Sequence, residues 1–109
     1  MAKFVIVKRL NSEFQFNLKA NNGEIILSSE GYISKMSCQN GILAVKINSV
    51  DDTRFDRKNS SNGKKYFTLK ATNGQIIGTS EMYEIAFSRD QAIELVKTQA
   101  SSADIEDRT

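Results

Sequence analysis

The 109-residue sequence has no histidine, no proline and one cysteine, and each shortage excludes something. Without histidine there is no imidazole to activate Cys38 as a nucleophile. Without a second cysteine nothing can resolve an oxidised sulfur. The same shortage leaves zinc without a credible ligand set. One cysteine forms no internal disulfide and fits a reducing compartment. The missing proline says only that no turn depends on a locked φ. Long apolar runs are absent too. Met1–Leu10 holds one four-residue apolar run, between Lys3 and Lys8, far short of a signal-peptide core or a membrane span. A cytoplasmic protein is expected. No charge sign dominates: 15 basic and 13 acidic residues leave a net +2. Residues 1–52 carry 6 basic against 5 acidic, and residues 53–109 carry 9 against 8. A protein so balanced has no strong nucleic-acid signature.

What is present is a globular composition, 39% hydrophobic and 26% charged, in a chain long enough for one domain with an unstapled core. The chain also repeats itself. Phe16-Asn-Leu-Lys-Ala-Asn-Asn-Gly-Glu-Ile-Ile-Leu-Ser-Ser-Glu-Gly-Tyr32 returns 51 residues later as Phe67-Thr-Leu-Lys-Ala-Thr-Asn-Gly-Gln-Ile-Ile-Gly-Thr-Ser-Glu-Met-Tyr83, with 11 of 17 positions identical. That is an internal duplication, with repeats at about 1–52 and 53–109 in one domain.

Residues 4–10 read as a strand rich in β-branched side chains. Phe14–Ala20 alternates, with Phe14, Phe16, Leu18 and Ala20 facing one way and Gln15, Asn17 and Lys19 the other. Asn22-Gly23 and Asn73-Gly74 predict two-residue hairpin corners with two positive-φ residues each. That register sets Ala20 opposite Ile25, Leu18 opposite Leu27, Ala71 opposite Ile76 and Leu69 opposite Gly78. It leaves Lys19 beside Ile26, and Lys70 beside Ile77, on the other face. A tight Asn11-Ser12 turn would bury Asp56 and Lys58 in the second copy and expose Phe55; a bulge or a longer loop, shifting the first strand by one residue, would avoid this, and the sequence leaves the register of that strand open. The period then changes to about 3.6, predicting helices near 35–48 and 87–101, the second opened by a capping box at Ser88-Arg-Asp-Gln91. Short extended segments follow at 53–58 and 103–107, the first ending one repeat and beginning the next. Each half has too little core to stand alone, so the two must share one.

The paired Phe-x-Leu-Lys-Ala-x-Asn-Gly-x-Ile-Ile motifs, each followed by Ser-Glu-x-Tyr, resemble the YegP-like family of small uncharacterised bacterial proteins, and Asn40-Gly41-Ile42 with Val45 and Asn48 fits the same pattern. The resemblance spans essentially the whole chain. It implies an α+β fold: duplicated β3-α-β units forming one shared antiparallel sheet, with exchanged C-terminal strands and two helices packed on it. It implies no activity. The chain departs from the family pattern at Gln91-Ala92-Ile93, where Asn-Gly-Ile would stand, and in the apolar Glu84-Ile85-Ala86-Phe87.

Several groups invite a chemical reading. Cys38 lies on the apolar helical face and reads as a packed core thiol. Asp51-Asp52 and Asp104-Glu106-Asp107 lack calcium-loop spacing and read as solvated charge, so neither metal nor cofactor is expected. Gly23, Gly31 and Gly74 open no helix and make no phosphate cradle. Glu30 and Glu81 occupy symmetric positions, which denies them the separated pKa values of an acid–base pair. The Ser-Glu-x-Tyr segments are expected to turn the chain from strand to helix, with the Tyr32 and Tyr83 hydroxyls bonded nearby. Lys19 and Lys70, near Gln15, Asn17 and Tyr66, with Arg54, Arg57, Lys58, Lys64 and Lys65, offer a track for a phosphate backbone; solubilising an edge strand is the plainer reading. A non-catalytic binding or accessory factor is therefore expected, with a nucleic-acid-binding module or an enzyme sited at the repeat interface as alternatives. No particular ligand or partner is indicated. A monomer with pseudo-twofold symmetry should suffice, although Ile26, Ile77 and Phe4 or Phe55 would offer apolar area for a homodimer.

Overall fold

The computed structural model describes residues 1–109. Its strands are β1 (Lys3–Lys8), β2 (Phe14–Lys19), β3 (Ile25–Ser28), β4 (Phe55–Asn59), β5 (Lys65–Lys70), β6 (Ile76–Thr79) and β7 (Asp104–Asp107). Helix α1 (Lys35–Asn48) follows β3 and α2 (Ala86–Gln99) follows β6, each leading through a short 3-10 turn into the next strand. All strands form one sheet in the order β4-β5-β6-β3-β2-β1-β7.

Four hairpin corners are built alike, each a three-residue loop ending in a left-handed residue. The amides of Arg9, Ala20, Ser60 and Ala71 donate to the carbonyls of Glu13, Glu24, Lys64 and Gln75 at 2.7–2.9 Å. The left-handed positions are Ser12 (φ 70°), Gly23 (φ 88°), Gly63 (φ 84°) and Gly74 (φ 84°). The expected two-residue Asn-Gly corners are therefore corrected: only the glycine has positive φ. The asparagine instead accepts the amide two residues on, Asn22 from Glu24 at 3.0 Å and Asn73 from Gln75 at 2.9 Å, as Asx turns do.

The extra loop residue is absorbed by a β-bulge. Lys19 pairs with Ile25, the register shifts, and Leu18 then meets Leu27 as expected; the second copy matches, with Lys70 on Ile76 and Leu69 on Gly78. Ala20 and Ala71 do not face Ile25 and Ile76. The bulge turns Ile26 and Ile77 into the core, where they are buried, so they do not stand beside the lysines. The same kind of loop at Leu10–Ser12 supplies the one-residue shift that β1 needed. Phe4 meets Leu18 and Phe55 meets Leu69, and both phenylalanines are buried.

Both helices lie on one face of the sheet. Cys38, Ile42 and Val45 of α1 and Ala92, Ile93 and Val96 of α2 join Phe4, Phe16, Leu18, Phe55, Phe67 and Leu69 in a single buried cluster of 19 residues from both repeats. Ser34 caps α1, its Oγ accepting the Ser37 amide at 3.1 Å. The expected cap at Ser88 is not formed: α2 begins three residues earlier, after Ile85, with no side-chain cap.

β3 and β6 join the repeats through the antiparallel pair Ser28–Thr79, two residues that are themselves 51 positions apart. Beside this seam the symmetry breaks usefully. A Cβ on Gly78 would lie 2.7–3.0 Å from the Leu27 side chain, so Leu27 fills the space of its own counterpart. The segment 55–59 enters as β4 beside β5, on the second repeat's side, and β7 crosses back to β1. The C-terminal strands are thus exchanged. β7 runs parallel to β1, which makes the sheet mixed, not wholly antiparallel. No strand matches β7 beyond β4, which is the opposite edge.

Candidate functional site

Six of the seven basic residues picked out by sequence gather at one edge of the sheet, most of them as neutralised charges. Arg54 ends the 3-10 turn before β4, and Arg57, Lys58, Lys64, Lys65 and Lys70 belong to the β4–β5 hairpin; Lys19 lies across the sheet on β2. Five of the seven are engaged by carboxylates. Arg54 reaches Asp51 at 3.5 Å, and Arg57 reaches Asp90 at 3.3 Å and Asp52 at 3.6 Å. Asp56 takes Lys70 at 3.1 Å and Lys58 at 3.8 Å, and Lys64 pairs with Glu84. Lys19 and Lys65 alone lack such a partner. The hairpin is a mosaic of both signs, the device that keeps an edge strand from pairing with another chain.

The acidic groups are spent in the same way. Asp51 caps the turn after α1, accepting the Thr53 amide at 3.0 Å and its hydroxyl at 2.7 Å; those bonds hold its carboxyl below the usual range. Asp52 accepts Lys97 at 3.3 Å, which lowers it likewise. On β7, Glu106 takes Lys3 at 2.6 Å and also Arg108, and Asp107 takes Lys35 at 2.8 Å. These bonds, Lys3 foremost for Glu106 and Lys35 foremost for Asp107, bring both carboxyls to about 2. Asp104 stands apart, and no three such side chains gather as metal ligands would. The acids of β7 act as a clasp.

Cys38 is fully buried in the core. Burial first, and the charge of Asp107 second, push its thiol up to about 11. At neutral pH it is a protonated, unreactive thiol.

In the Ser-Glu-x-Tyr segments the serine carries the load. Ser29 Oγ accepts the Phe16 amide at 3.0 Å and donates to the Glu30 carbonyl at 2.8 Å; Ser80 does the same for Phe67 and Glu81 at 2.9 and 2.8 Å. Each tyrosine ties back through its backbone, Tyr32 to Phe14 and Tyr83 to Lys65, with N–H to O distances of 2.7 Å both ways. The expected hydroxyl bonds are absent. Tyr32 stacks on Phe16, ring centroids 6.4 Å apart, and its hydroxyl sits against Gly41, where a Cβ would come within 2.5 Å. Ala92 occupies the matching place in α2, where it and Tyr83 line a depression together.

Three depressions lie where the repeats meet. One, of about 320 Å³, is lined by Ser28, Ser29 and Glu30 against Ile76–Thr79. A second, of about 440 Å³, sets Gly23, Glu24 and Ile25 against Glu81, Met82 and Tyr83. The third, of about 400 Å³, adjoins it and sets Ala20, Glu24 and Ile26 against Tyr83, Gln91 and Leu95; it adds no further ionisable group. Sequence reasoning overlooked the approach of Glu24 to Glu81, signalled only by the Glu24–Gln75 difference between the copies. Burial first, then Glu81 and Glu24, raise the Tyr83 phenol. It stays protonated at neutral pH, and no cation or nucleophile accompanies it.

A family model described as a domain of unknown function, DUF1508, matches twice, over residues 11–56 and 60–107. UPF0339 protein YegP of Escherichia coli K12 is 48% identical over 106 residues, 97% of this chain and 96% of that protein. A UPF0339 protein of Bordetella pertussis is 46% identical over 109 residues, 100% of this chain and 98% of that one. The solution NMR structure of YegP from E. coli, a protein of unknown function, superposes with a TM-score of 0.93 at 47% identity, covering 99% of this chain and 93% of its own. That of a UPF0339 protein from Shewanella oneidensis gives 0.92 at 42%, covering 97% and 90%.

Proposed function

Because the chain belongs to the DUF1508, YegP-like family, which brings a fold and no activity, we propose from its own geometry that it is a non-catalytic cytoplasmic binding factor. One observation carries this reading: most of the ionisable groups that chemistry would need are engaged elsewhere in the fold. Nine of the thirteen acids are clasped by lysines and arginines, those of β7 and Asp52 among them, and the buried thiol is held protonated with no base beside it. Of the four without a cation, Glu24, Glu30 and Glu81 line the seam between the repeats. Acid–base or nucleophilic catalysis needs two converging groups of separated pKa, and the Glu24–Glu81–Tyr83 depression supplies two like carboxylates and a phenol. The compensated β4–β5 hairpin likewise speaks against a phosphate-tracking surface, whose cations must be free to displace counterions.

The test is a proton NMR time course of a mixed pool of small metabolites incubated with the protein. Every component should keep its intensity over hours. Consumption of any one, abolished by Glu81→Gln, would show the depression to be an active site and end this reading. A salt-titrated filter-binding series with single-stranded DNA completes it, with no retention expected at physiological ionic strength.

A further inference from the structure

The outward side of α1 carries an apolar stripe. Met36, Leu43 and Ile47, with Val50 in the turn just past the helix end, fall on the side opposite Cys38, Ile42 and Val45 and are 71%, 53%, 72% and 61% exposed; the uncharged Gln39 and Asn40 are exposed beside them. The fold does not require this. In the second repeat Glu94, Thr98 and Ser101 stand where the first has Leu43, Ile47 and Val50, polar residues of the kind a solvent-facing helix ordinarily presents; only the counterpart of Met36, Phe87, is apolar there, and it is 65% exposed.

We propose that this stripe is a homodimer interface, closed by α1 of a second copy packed antiparallel about Leu43. The first argument is charge. Residues 36–50 contain one charged side chain, Lys46, against Arg89, Asp90, Glu94 and Lys97 in residues 87–101. Lys46 is tied inward, donating to the Ala103 carbonyl at 2.7 Å. A charged partner finds no counterpart on such a face, whereas a second copy brings no like charge against it. The second argument is self-complementarity. Met36 and Val50 lie seven residues either side of Leu43, so a twofold axis at Leu43 sets Leu43 on Leu43 and each Met36 toward the Val50 just past the end of the other helix, as an isologous contact demands; the same axis sets Ile47 beside the uncharged Gln39. The third is area. The four side chains expose roughly 500 Å² per copy, at the upper end of the largest apolar patch on a typical monomer. Two copies would bury about 1,000 Å², the lower limit of a specific interface. A reversible, concentration-dependent dimer follows from an interface of that size.

Sedimentation equilibrium from about 5 to about 500 µM tests this, comparing the natural chain with Leu43→Glu/Ile47→Thr, which gives α1 the residues of α2. The natural chain should pass from monomer to dimer. The variant should keep its far-UV circular dichroism and dissociate at least about 100-fold more readily, as loss of a central apolar anchor does. Separately, Leu43→Cys should oxidise to a covalent dimer much faster than Lys19→Cys on the open sheet face. A natural chain that stays monomeric throughout, as it would if the stripe served a different protein, overturns the proposal. So does a double variant that dimerises equally well, or a Leu43→Cys chain that cross-links no faster than the Lys19→Cys control.

Discussion

Ser12 holds a left-handed conformation, φ 70°, in a corner whose three counterparts use glycine. A side chain there costs about 1–2 kcal/mol, against about 0.5–1 kcal/mol for the extra freedom glycine loses on folding. Ser12→Gly should therefore raise stability by roughly 0.5–1 kcal/mol, read from the urea midpoint at unchanged slope. A second residue defect lies at Ile85. Its backbone, φ −128° and ψ 153°, matches that of the capping Ser34, φ −119° and ψ 153°, yet isoleucine has nothing to offer the first amides of α2. Being 56% exposed, it gives up little packing when replaced. Ile85→Ser should add about 1 kcal/mol, and Ser34→Ala should cost about as much, both measurable by thermal unfolding.

At the scale of elements, β7 is the one to watch. It lies at an edge, pairs with β1 alone and is clasped by Lys3–Glu106 and Lys35–Asp107. Because the folded pKa values of both acids, about 2, lie below the unfolded values near 4, the clasp is fully present above about pH 4.5 and is lost as pH falls toward 2. Amide protection in β7, corrected for intrinsic exchange, should drop across that window before protection in β2 or β5 does. Elements of this kind were only partly legible in the sequence. The alternation of Phe14–Leu18 and the helical spacing of Cys38, Ile42 and Val45 fix strand and helix because burial acts directly on those side chains. The hairpin corners misled because Asn-Gly suits both a two-residue turn and a three-residue loop, and the choice depends on whether a bulge downstream can restore register. At α2, Ser88-Arg-Asp-Gln91 carries a sound local cap pattern. Extending the helix three residues back nevertheless outweighs it, since symmetry with α1 places the start there. Ion pairing of Arg57 with Asp90, or of Asp56 with Lys70, joins residues far apart in sequence and leaves no local trace, so the basic cluster looked freer than it is.

On the scale of the whole molecule, the repeats are complementary where they are least alike. Leu27 occupies the room that Gly78 vacates, at the seam between β3 and β6. Leu27→Ala should cost about 2–5 kcal/mol and Gly78→Ala about 1–3 kcal/mol through overpacking. Together they should cost less than their sum, because the first substitution clears the space the second needs. Two halves that share an interior melt as one, so the decisive measurement is a residue-resolved urea titration of the intact chain, following amide resonances of Leu18 in one repeat and Leu69 in the other. A common interior predicts a single midpoint for both, lowered equally at both by Leu27→Ala. Two separate midpoints, or a loss confined to the first repeat, would contradict it.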